Sequence, residues 1–208
     1  MAPQLFSIAV YKCTSNNQAF LLLNEQDLSS FNFLLRKNAN QVLTFCSRTV
    51  AERTDPSATG ALSITYQGYF CHGWLGDNGL FACVITNEEY PQSAAINAAK
   101  TVLVKFRQTI PSNRFASIKA DAEPGQFVLP STSQWISEWQ NPDNVSKLTK
   151  INKQLEETKS ILVKNIDSLL KVNEDLESIA NKSQDLNAAS KTFVRTAQQT
   201  NRCPCSVM

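Results

Sequence analysis

Nothing in this 208-residue chain approaches the ~18 consecutive apolar residues of a membrane-spanning helix, so no spanning segment is expected. It holds one histidine and six cysteines without metal-ligand spacing, and no metal centre is expected. There is no Gly-rich phosphate loop, which argues against a nucleotide-hydrolysing switch protein. The histidine, His72, follows Cys71 on an expected strand, where adjacent side chains point to opposite faces. A Cys–His nucleophile pair is therefore disfavoured, and neither catalysis nor a cofactor is expected. A net charge of +2 is too weak to argue for nucleic acid. Met1-Ala2-Pro3-Gln4 has no basic, apolar leader, and Ala2 stands where myristoylation needs glycine. The expectation is a cytosolic protein.

Hydrophobic content of 42% and charged content of 18% are those of a chain with a real core. Cys203-Pro204-Cys205-Ser206-Val207-Met208 forms a C-a-a-X box with Cys205 as prenyl acceptor, and Met at X favours farnesyl. One lipid chain holds a protein on a membrane only marginally, and Cys203 is placed to take a palmitoyl group as the second signal. Cys13, Cys46, Cys71 and Cys83 lie far apart and read as small buried apolar residues. Disulfides are not expected beside a box that is read in the cytosol.

The first ~110 residues alternate between periods of two and 3.6. Leu5–Tyr11 reads as a strand with Phe6, Ile8 and Val10 on one face, and Ala19–Leu23 as a second. Ser29 and Ser30 offer N-caps for a helix through about Glu52. Strands are expected at Leu62–Tyr66, Phe70–Leu75 and Leu80–Thr86, joined by turns at Gln67-Gly68 and Gly76-Asp77-Asn78-Gly79. A second helix runs from about Ser93 to Gln108. This order implies an α+β domain, an antiparallel five-stranded sheet with packed helices. On the first helix Leu35, Ala39, Val42, Leu43, Cys46 and Val50 share one arc, and Leu34 and Phe45 fall roughly 100° further round. The arc is either a wide buried stripe or a partly exposed groove, with Leu34, Val42 and Phe45 as candidate lining, that receives another chain segment or a lipid.

Residues 111–146 are punctuated by Pro111, Pro124, Pro130 and Pro142 and read as a linker with short local structure. Its Trp135, Ile136 and Trp139 are expected to dock on the first domain. From Leu148 onward Gly and Pro vanish until Pro204, and apolar residues recur at alternating three and four. Leu155, Leu162, Leu169, Val172, Leu176, Ile179, Leu186, Phe193 and Ala197 lie on one a/d seam. A continuous helix there would extend roughly 80 Å, too long to fold back into a small core. Thr158, Asn165, Ser183, Ser190 and Thr200 make the seam too polar for a self-sufficient dimer, so partner helices are expected to order it.

Ser29-Ser30-Phe31, Thr44-Phe45, Glu89-Tyr90-Pro91, Trp139-Gln140-Asn141-Pro142 and Glu157-Thr158-Lys159, in this order, resemble the lipid-anchored longin R-SNAREs of the synaptobrevin family. The resemblance implies a longin (profilin-like) domain at 1–110, a linker at 111–146, a SNARE coiled coil at 147–202 and a lipidated tail at 203–208. It also implies a heterotetrameric bundle with three glutamine-type helices that drives fusion at Golgi, endosomal or other vesicle membranes. The longin domain is then expected to fold over the unassembled coil and the lipid. The family places arginine in the central layer, where this chain has Val172. Sliding the register to Lys171 would bring Lys164, Ser168, Asp175, Ser178, Lys182 and Asp185 onto the seam, which could not pack. The competing expectation is a prenylated adaptor or inhibitory SNARE that binds glutamine-type helices without driving fusion.

Overall fold

The structure, a computed structural model, describes residues 2–55, 60–66, 69–151, 162–165 and 176–192. The chain runs through β1 (Leu5–Cys13), β2 (Ala19–Gln26), α1 (Arg36–Arg53), β3 (Gly60–Tyr66), β4 (Tyr69–Leu75), β5 (Leu80–Asn87) and α2 (Gln92–Thr109). Strand, strand, helix, three strands, helix is the expected order. These five strands pair antiparallel in the order β2-β1-β5-β4-β3.

The sheet is covered on both faces, which explains why β5 reads as an unbroken apolar run: Leu80 to Ile85 are all buried. Ile8, Val10, Ala82 and Val84 face α2 and pack with Ala95, Val102 and Phe106. Ala9, Tyr11, Phe81 and Cys83 face α1 and pack with Phe45 and Val50. Gly73 is needed for close approach, since a Cβ there would lie 2.3 Å from the Phe81 ring. Asn78 and Gly79, at φ of 62° and 67°, make the tight turn between β4 and β5.

Two local expectations are corrected. Phe6 packs on the α1 face rather than with Ile8 and Val10, because the register with β5 shifts between Leu5 and Ser7 and flips the alternation. The first helix does not start at Ser29 or Ser30. Asp27 Oδ1 accepts from Ser29 N–H at 2.9 Å and holds a turn there. A 3-10 turn, Phe33–Leu35, follows under the Asn32 cap before α1 begins.

Residues 111–146 line the α2 face. They carry α3 (Asn113–Ala116), α4 (Thr132–Glu138) and the start of α5 (Pro142–Ile151). Phe115, Phe127, Leu129, Trp135, Ile136, Trp139 and Val145 are buried in the same cluster as Phe106. Trp135 and Trp139 stack with centroids 5.0 Å apart. Tyr90 Oη donates to Trp139 O at 2.8 Å, joining two of the motifs read from the sequence. Gln140 completes the junction as a strand would: its Oε1 accepts from Leu5 N–H at 3.0 Å and its Nε2 donates to Leu5 O at 2.7 Å.

Beyond α5 the described coil residues do not form the single straight helix expected from the seam. Leu162–Asn165 is a strand, β6, parallel to β3 at the sheet edge, and makes the sheet six-stranded. α6 (Leu176–Lys182) and a helical turn at 188–192 lie against the α1 face. The described pieces, Leu162–Asn165 and 176–192, are short enough to lie on the domain. With no partner helices present, the seam residues Ile179 and Leu186 pack against the domain instead.

Candidate functional site

α1 has two flanks. The first, toward β4 and β5, holds an apolar cavity of about 100 Å³ lined among others by Phe31, Leu35, Ala39, Val42, Cys46 and Tyr69. The second, toward β2, carries Phe45, Arg48, Thr49 and Glu52 and is covered by residues 178–185. The three groove candidates thus separate. Val42 lines the cavity, Phe45 is buried on the opposite flank, and Leu34 stands 81% exposed outside both. Val42 and Phe45 stand only about 60° apart on the helical wheel, yet they fall on different flanks rather than in one groove.

On the second flank the coil presents its seam to the domain. Leu186 and Ser190 are buried, Ile179 and Ser183 are half-buried, and Asn181, Lys182, Gln184 and Ala188 point to solvent. Leu186, the buried Ala180 and Ile179 belong to one apolar cluster with Phe45 and Val50. Polar contacts fix the register. Arg48 grips Asp185 with two bonds, Nε to Oδ2 at 2.7 Å and Nη2 to Oδ1 at 3.2 Å. The same guanidinium donates to both carboxylate oxygens of Asp121 and to Ala19 O. Two turns earlier on α1, Gln41 Oε1 accepts from Asn187 N–H at 3.0 Å and from Ser190 Oγ at 2.9 Å.

The electrostatics follow from this geometry. Burial alone would lower the Arg48 pKa, but the bonds to Asp121 and Asp185 outweigh it and hold the guanidinium above its ordinary value. Burial likewise pushes Asp121 up, while Arg48 and the Leu21 N–H prevail and hold the carboxyl below the usual range. Glu52, nearby, is raised by burial against the opposing pull of Arg48 and Arg53. Tyr11 lies beneath, its ring centroid 5.7 Å from the guanidinium and its hydroxyl 2.7 Å from Ser47 Oγ. The arrangement holds a helix in a defined register. Among the described residues no cluster of histidine, cysteine and carboxylate side chains is arranged to hold a metal.

The synaptobrevin family matches residues 147–206, and the longin family, a regulated-SNARE-like domain, matches residues 28–129. The chain is 32% identical over 205 residues to "Synaptobrevin homolog YKT6" of Eremothecium gossypii, covering 99% of this chain and 100% of that protein. To "VAMP-like protein YKT61" of Arabidopsis thaliana it is 32% identical over 206 residues, 99% of this chain and 100% of the relative. The chain belongs to the longin-domain R-SNAREs. Its antiparallel five-stranded domain is the longin fold. Its role is that of a vesicle SNARE, in trafficking rather than catalysis.

In this R-SNARE the linker's end and the coil lie on opposite faces of the longin domain. α5 packs with α2, β6 borders β3, and α6 with the following turn lies on α1. Of the expected seam, Ile179 and Leu186 meet the domain, Leu162 lies in β6 and Leu176 opens α6. Leu155, Leu169, Val172, Phe193 and Ala197, with the lipidation candidates Cys203 and Cys205, lie outside the described residues. Sequence reasoning missed Arg48, Gln41 and Asp185. None carries a signal of its own: a polar residue on a helix reads as solvated until its partner is known.

Proposed function

We propose that this R-SNARE is held closed by its own longin domain and joins three glutamine-type helices in a fusogenic bundle once the coil is released. The supporting observation is that Ile179, Leu186 and Ser190, seam residues a bundle would bury, are turned onto α1 and fixed there by Arg48 and Gln41. One seam cannot be buried twice, so domain and bundle compete for it. β6 adds to this, since Leu162–Asn165 is extended here and a coiled coil needs the same residues helical.

In this reading Cys205 carries the farnesyl group and Cys203 a palmitoyl group, and together they hold the protein on the cytosolic face of vesicle membranes. The apolar cavity beside Val42 offers the prenyl chain a place to retreat from water. A second reading, an inhibitory SNARE that binds glutamine-type helices without driving fusion, draws on Val172 in the central layer.

The test is the rate at which the full chain enters a complex with three glutamine-type helices. Arg48→Ala leaves Asp185 half-buried without its cation, and assembly is expected to accelerate about tenfold, the equivalent of ~1.4 kcal/mol. An unchanged rate would remove the support for a closed form that limits assembly.

A further inference from the structure

The turn between β2 and α1 is the site of a further inference. Residues Asn32 to Lys37 form a run of six exposed positions. At its centre Phe33, Leu34 and Leu35 are 78%, 81% and 54% exposed, three of the four large hydrophobic side chains exposed among the described residues. Three adjacent large apolar side chains held in water are a contiguous patch, which marks an interaction surface rather than ordinary scatter.

The patch is built. Asn32 Oδ1 accepts from Leu34 N–H at 3.0 Å, and Leu35 N–H donates to Asn32 O at 2.8 Å. Arg36 folds back, donating from Nε to Phe31 O at 3.2 Å and from Nη2 to Ser29 O at 3.3 Å. Phe31 anchors the base of the turn, its ring 5.5 Å from that of Phe6. The apolar side chains are therefore presented on a stiff tip, which lowers the entropy lost on binding.

Charge points to the partner. Arg36 and Lys37 follow the apolar trio directly, and no acidic residue occurs between Asp27 and Glu52. Asp27 itself is turned inward, accepting from Ser29 N–H and from Gln140 Nε2. An apolar tip followed by two cations, in a segment without carboxylates of its own from 28 to 51, suits the headgroup boundary of an anionic leaflet, where apolar side chains leave water and bases meet phosphate.

We propose that the Phe33-Leu34-Leu35 turn is a membrane contact of the longin domain itself, inserting into an anionic lipid surface independently of the lipidated cysteines. The contact acts as an additional weak anchor, of the kind a single acyl chain needs for stable attachment.

The experiment is flotation of the full chain carrying Cys203→Ser and Cys205→Ser with phosphatidylcholine vesicles, with and without phosphatidylserine. Binding is expected to phosphatidylserine vesicles, weakening as salt rises. Leu34→Asp is expected to reduce the bound fraction about tenfold, and Lys37→Glu severalfold. Phe33→Asp serves as a second variant, and unchanged melting of each shows that the fold is intact. Failure of the parent to bind phosphatidylserine vesicles, or equal binding by parent and Asp variants, would overturn the proposal. So would a parent dimer that Leu34→Asp dissociates without any effect on vesicles, since the patch would then join two copies. Because both lipid-acceptor cysteines are removed, the result does not depend on the lipid-anchor reading.

Discussion

His72 lies on β4 with Nδ1 2.8 Å from Ser63 Oγ and its ring stacked on Phe70. Burial lowers its pKa from the ordinary 6.5 to about 4. As pH falls from 6.5 toward 4, the unfolded chain takes up a proton that the folded chain refuses. Stability is therefore lost across that window, by about 3 kcal/mol at most. Urea midpoints at pH 7 and pH 5 measure the loss, and His72→Phe is expected to flatten the dependence. A slope unchanged in the variant would assign the loss to other groups. Val172 belongs to the same scale. Glutamines facing an apolar centre forfeit their charged donor, at about 1–3 kcal/mol for each left unpaired. Val172→Arg is expected to raise the melting temperature of the complex and sharpen selection for glutamine-centred partners. Melting and selectivity both unchanged would show that the central layer does not discriminate.

Among the elements, those set by local pattern were legible in advance. β5 reads as an apolar run, Gly76-Asp77-Asn78-Gly79 as a turn, and α2 as a helix with Ile96, Ala99, Leu103 and Phe106 along one stripe. What escaped depended on distant partners. The bulge that turns Phe6 over is a property of the β1–β5 pairing, and nothing in Leu5-Phe6-Ser7 encodes it. β6 is the sharpest case. Ile161-Leu162-Val163 suits strand as well as helix, and the heptad seam running through it reads as helix. The open edge of β3 decides otherwise when no other helix is present. At the site, Val42 was legible as groove lining, whereas Arg48 and Asp185 acquire meaning only from meeting across 137 positions of sequence. The element-scale prediction concerns that edge. Partner helices that draw out the coil are expected to speed hydrogen exchange of the β6-facing amides of Leu62–Thr65 by about tenfold or more, leaving β1 and β5 protected. Equal exchange before and after assembly would mean that β6 stays in place.

At the scale of the whole molecule the chain is fastened to the domain just before the coil begins and again late in its described course. Val145 is sealed into the α2-side core, and Leu186 and Ser190 into the α1 side. Cys205→Ser is expected to shift the protein to the soluble fraction apart from a weak residue held by the Phe33-Leu34-Leu35 turn. Cys203→Ser is expected to leave reversible binding, and cell fractionation with a salt wash distinguishes the two. A Cys205→Ser protein that stays firmly on membranes would refute the anchor assignment. The six-stranded sheet carries a further consequence. Its sixth strand is borrowed from the segment that the proposed bundle would take away. Every copy that opens therefore leaves β3 with unpaired N–H and C=O groups along a rim, the kind of rim on which strands of other molecules nucleate aggregates. In the proposed cycle, copies released without partner helices at hand would face a solubility hazard, and closure would guard against misassembly as much as against premature pairing.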